Sequence, residues 1–112
     1  MENKEEMVSK VARQLTLDPR LMNLLLQDVA DAIEALEAIV EKDGVYTDDD
    51  FQTFVVYAHG MKGALSYVHE AELIEFAYKL ECAGKAKDVF TISTQTPIFI
   101  DKLRAVVKKI ST

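Results

Sequence analysis

Tyr57-Ala58-His59-Gly60-Met61-Lys62-Gly63-Ala64-Leu65 carries a helical pattern straight through two glycines. Extended backwards, the apolar positions Phe51, Phe54, Ala58, Met61 and Leu65 recur at the spacing of one helix face. At about 100° per residue, Gly60 and Gly63 point away from that face. Each glycine in a helix interior costs roughly 1 kcal/mol relative to alanine. Two of them on the outer surface therefore fill no core; they clear backbone for something to approach. His59, Lys62 and Gly63 fall within an arc of about 100° on the same wheel. A titratable imidazole, a cation one turn away and a cleared patch thus share one surface.

Working outward, the same periodicity covers almost the whole chain. Residues 3–15 read as a short helix with Met7, Val8, Val11 and Leu15 on one side. Asp18-Pro19 reads as an N-cap followed by proline at the first helical position. The helix it opens runs to about Lys42 with the stripe Leu21, Leu24, Leu25, Val29, Ile33, Leu36 and Ile39/Val40. Asp43-Gly44 suits a left-handed stop. Thr47 caps the helix that carries His59, with Asp48, Asp49 and Asp50 at the positive end of its dipole. That helix is expected to reach about Val68 and to bend near His69-Glu70. A further helix turns Leu73, Phe76, Ala77 and Leu80 inward, and Gly84 closes it. Residues 85–95 have mild β-propensity between Val89 and Thr94 but no partner strand, so they read as loop or short helix. Thr96-Pro97 opens the last helix, with Phe99, Leu103, Val106, Val107 and Ile110 on its face. The expected fold is all-α: an antiparallel four-helix bundle with a short N-terminal capping helix, one domain over residues 1–112.

Composition narrows the function classes. At 112 residues, folding buries roughly 65% of the unfolded surface, enough for one core. A net charge of −6 matches neither nucleic acid nor an anionic membrane. The single cysteine, Cys82, allows no intramolecular disulfide and fits a reducing compartment. The charged start, Met1 to Glu6, is unlike a secretory signal, and no apolar run has the length of a membrane span. The expected location is the cytoplasm.

The chemistry gathers at His59. Lys62, at i+3, reaches a group bonded to the imidazole. If the two helices turn near residue 69, His59 lies ten residues before the turn and Glu81 twelve after it, so they face each other. A carboxylate there accepts the Nδ1–H, fixes the tautomer and leaves Nε2 as the nucleophile. The competing readings are a solvated surface histidine, a Glu81 paired with Lys85 at i+4, and a snorkelling Lys62.

His59-Gly60-Met61-Lys62-Gly63 resembles the H-x-x-K-G signature of histidine-containing phosphotransfer domains, and Leu73, Leu80-Glu81 and Gly84 follow that family's second core helix. The resemblance spans essentially the whole chain. It implies that His59 takes a phosphoryl group from the aspartate of a receiver domain and passes it to another. It further implies that Lys62 stabilises the phosphoryl oxygens, and that Gly63 lets the receiver approach. Glu81 stands where chemotaxis-type members carry a glutamate hydrogen-bonded to the histidine. The implied receiver-facing surface is Val55, Val56, Gly60, Gly63 and Ser66, and the implied partners are receiver domains of response regulators and of a hybrid sensor histidine kinase. His69 departs from the family, which often has glycine there. The protein is expected to be a monomeric phosphocarrier with no cofactor, no metal and no nucleotide site of its own. Two alternatives remain: an inert helical interaction module that has lost phosphotransfer, and the phosphorylated domain of a chemotaxis-type kinase.

Other candidates are weaker. His69 is not followed by lysine and glycine at the required spacing. Val56 and Ser66 stand three before the histidines, where a di-iron bundle needs glutamates. Cys82, beside core Leu80, reads as a small packing residue rather than a nucleophile. Asp48-Asp49-Asp50 is a helix start rather than a metal loop, and no glycine-rich phosphate loop occurs.

Overall fold

A computed structural model describes residues 19–111. The expected N-terminal helix and the Asp18 cap lie outside the described residues. Four helices follow: α1 (Pro19–Val40), α2 (Asp48–Ser66), α3 (Ala71–Lys85) and α4 (Val89–Ser111); no strand occurs among the described residues.

The neighbours run antiparallel, as their cross-contacts show. Asp48 pairs with Lys87, Phe54 and Val55 come against the position of Gly84, and His59 meets Glu81. Likewise Phe76 of α3 stacks obliquely on Phe99 of α4, and Lys109 reaches Glu70. Arg104 of α4 pairs with Glu37 of α1, closing the ring. Phe54, Phe99, Leu36, Leu65, Leu80, Ile92 and Leu103 are fully buried in a shared core. Each such side chain contributes roughly 1.5–3 kcal/mol of transfer free energy.

The helix boundaries follow local chemistry. Thr47 accepts from the Asp50 N–H while the Asp50 carboxylate accepts from the Thr47 N–H, a reciprocal cap that Lys42 completes at 2.7 Å. Gly44, at φ 89°, and Asp43, at φ 56°, make the left-handed stop after α1. His69, at φ 57°, is the left-handed residue that ends α2: its N–H bonds the Ser66 carbonyl, and the Glu70 N–H bonds that of Leu65. A position that takes glycine most easily is thus held by histidine.

Four expectations need correction. Gly84 does not close α3: it lies inside the helix, buried, where a Cβ would come within 2.7 Å of Val55 Cγ2 and 2.9 Å of Phe54 Cδ1. It allows α2 and α3 to approach, and the left-handed stop is Lys87, at φ 54°. Pro97 does not open the last helix. α4 begins at Val89, capped by Asp88, which accepts from both the N–H and the hydroxyl of Thr91, and Pro97 sits inside it. Burial of Ile92 in the core overrides the β-propensity of this segment. On α1, Leu21 and Leu24 are exposed rather than inward, and Ala32 takes a core place. Cys82 is exposed, because Leu80, Glu81, Ala83 and Gly84 take the inward positions of α3.

Candidate functional site

α2 and α3 together build the site. Ala58, Met61 and Leu65 anchor α2 in the core, which leaves His59 and Lys62 on the flank facing α3. Ala77 and Leu80 anchor α3 and bring Glu81 to that flank. His59 Nδ1 lies 3.1 Å from Glu81 Oε2 and 3.3 Å from Oε1, so the ring N–H donates to the carboxylate. The imidazole is 69% exposed and the carboxylate side chain 5% exposed. The pairing therefore joins a solvent-facing ring to a buried anion, which orients the ring with Nδ1 turned to the protein.

Glu81 holds more than the histidine. Lys62 Nζ lies 2.5 Å from its Oε1, and Lys85 Nζ lies 3.4 Å from its Oε2. The facing-helix pairing and the i+4 pairing with Lys85, alternatives in the sequence, are both present. The Lys62 hydrogen bond is the main cause, and outweighs burial, with His59 and Lys85 adding to it, in bringing the Glu81 carboxyl from an ordinary 4.5 down to about 2. Glu81 is therefore ionised across the physiological range.

Lys62 itself is 25% exposed. Its ammonium also lies 5.3 Å from the centre of the Tyr78 ring, a cation–π contact from one turn earlier on α3. Tyr78 and the Lys85 contact complete the cluster. Their signal in the sequence is spacing: Tyr78, Glu81 and Lys85 stand at i, i+3 and i+7, one face of α3.

Around the ring the surface is open. A Cβ placed on Gly60 or Gly63 meets nothing within 4 Å. Val56 is exposed, whereas Val55 is half-buried and turned towards Gly84. Ser66 is exposed, and its hydroxyl donates to the Gly63 carbonyl at 2.6 Å. A groove of about 640 Å³ runs from Phe51 and Gln52 past Val55 and Val56 to Lys85 and Lys87. A smaller apolar cleft of about 310 Å³ lies on the other side, between Leu21, Leu24, Gly60 and Tyr67. His69 lies in the turn after α2 and takes no part in the cluster.

Among the described residues, no group of three or more His, Cys, Asp or Glu side chains is placed to hold a metal ion. No described helix is long and apolar enough to cross a membrane. Compared with known proteins, the chain matches no family model, no curated protein and no solved structure.

Proposed function

We propose that this protein is a phosphorelay intermediate, a histidine phosphotransfer domain in which His59 accepts a phosphoryl group from a receiver-domain aspartate and delivers it to another receiver. The observation that carries this reading is the exposed imidazole whose Nδ1–H is held by the buried, ionised Glu81. A neutral ring in that tautomer presents the Nε2 lone pair to solvent.

In the proposed transfer, Nε2 attacks phosphorus in line, the P–N bond forms and the P–O bond to the aspartate breaks. The aspartate carboxylate leaves with the electron pair. The ring keeps its Nδ1 proton, and the positive charge that develops on it faces the Glu81 carboxylate. The second transfer runs the same steps in reverse on the next receiver. Phosphoryl transfer is loose, so positioning and charge compensation supply most of the acceleration. The bare backbone at Gly60 and Gly63 and the exposed Val56 offer a receiver room to bring its aspartate over the ring. A small transient interface suits such a relay. The partners in this reading are receivers of response regulators and of a hybrid sensor kinase, in the cytoplasm.

The test is transfer itself. Purified receivers charged with labelled acetyl phosphate are mixed with the protein. Label should pass to it in acid-labile, base-stable form and then discharge to a second receiver. Receivers that keep their label in its presence would favour the inert interaction module instead.

A further inference from the structure

We propose that Lys85 is the phosphoryl-binding cation of the His59 site, and that it, rather than Lys62, meets the phosphoryl oxygens. The inference rests on His59 being the acceptor. Because α2 and α3 run antiparallel, Lys62 lies one turn beyond His59 on α2, and Lys85 lies one turn beyond Glu81 in the opposite direction. The two lysines therefore reach the Glu81 carboxylate from opposite directions along the helix axis. They share one carboxylate, which leaves the cluster with an excess positive charge before any phosphoryl group arrives. A phosphoryl group brings close to two negative charges.

The two lysines are not equally available. Lys62 is 25% exposed, 2.5 Å from Glu81 Oε1 and set against the Tyr78 ring. Moving it away takes a close partner from a buried carboxylate, a change that is strongly unfavourable. Lys85 is 65% exposed and 3.4 Å from Oε2, a contact of the solvent-screened kind that contributes little. It also lines the open groove beside Val55 and Val56. Lys85 is therefore free to turn to an anion on Nε2 while Lys62 keeps Glu81, and through it the ring, in place.

Phosphoramidate separates this claim from receiver docking, because it phosphorylates histidine without a partner. Its P–N bond breaks, ammonia leaves and the new bond forms to Nε2. The ³¹P resonance of the phosphorylated protein is titrated for wild type, Lys85→Gln, Lys85→Arg and Lys62→Gln. The charged groups gathered at the site are Lys62 from α2, and Glu81 and Lys85 from α3, while Asp28 of α1 lines the cleft on the other side of Gly60. Loss of Lys85 should raise the phosphoryl pKa by about 0.5 unit. Lys85→Arg should restore the wild-type value, and Lys62→Gln should move it less. Superimposable titrations of wild type and Lys85→Gln, or a larger shift in Lys62→Gln, overturn the role of Lys85 and leave His59 as acceptor. Absence of a phosphohistidine ³¹P resonance from wild type overturns both.

Discussion

Lys62 Nζ lies 2.5 Å from Glu81 Oε1, on the same carboxylate that takes the His59 Nδ1–H at 3.1 Å. The lysine of the H-x-x-K-G stretch is thus tied to the group that orients the histidine. Lys62→Ala should loosen the ring and slow phosphotransfer about tenfold to a hundredfold, the equivalent of one charge-assisted contact. The bundle should remain folded but melt at a lower temperature, because the buried Glu81 loses its closest partner. Single-turnover transfer rates, with a thermal melt on the same sample, check this; an unchanged rate makes Lys62 a bystander.

Glu81 gives the fold a pH dependence with a definite sign. Its carboxyl is at about 2 when folded and at an ordinary 4.5 otherwise. A depressed folded value stabilises the protein fully above the unfolded value, and the stabilisation is lost as pH falls from 4.5 through about 2. Wild type should therefore lose its advantage over Glu81→Gln across that window, whereas at neutral pH Glu81→Gln should be less stable by about 1–3 kcal/mol. Urea midpoints at a series of pH values give the difference curve; a flat one contradicts the assignment.

The glycines divide by location. Gly84→Ala should destabilise the fold by about 1–3 kcal/mol, since its Cβ would press on Val55 and Phe54. Gly63→Leu has open space and should stabilise the free protein by roughly 0.8 kcal/mol. If a receiver docks beside His59, Gly63→Leu should also block transfer. Denaturation midpoints and transfer rates on the two variants test both statements.

His69 occupies a left-handed position at φ 57°. His69→Gly should stabilise the protein by about 1 kcal/mol, the cost of placing a side chain there. Differential scanning calorimetry detects a gain of that size as a raised Tm, and a lowered Tm would mean that the imidazole makes compensating contacts.

Much of this was legible in the sequence because the deciding signals are local. Thr47 before α2, and Asp43-Gly44 after α1, are caps whose geometry is set within a few residues. The outward direction of Gly60 and Gly63 follows from helical periodicity alone. The facing of His59 and Glu81 needed only an antiparallel turn near residue 69. What escaped depends on tertiary packing. Gly84 reads as a stop until Phe54 and Val55 come against it. Ile92 pulls a β-prone segment into α4 despite Pro97. Leu21 and Leu24 match the apolar period of α1 yet remain outside the core. Tyr78 becomes part of the cluster only once Lys62 reaches across from the neighbouring helix.

Site-specific labelling tests the proposed phosphorelay role most directly. Wild type, His59→Gln and His69→Gln are exposed to a phosphorylated receiver, and the acid-labile, base-stable label is measured. Label should appear on wild type and His69→Gln and be absent from His59→Gln. Label retained by His59→Gln, or missing from wild type with an active receiver, would contradict the role assigned to His59.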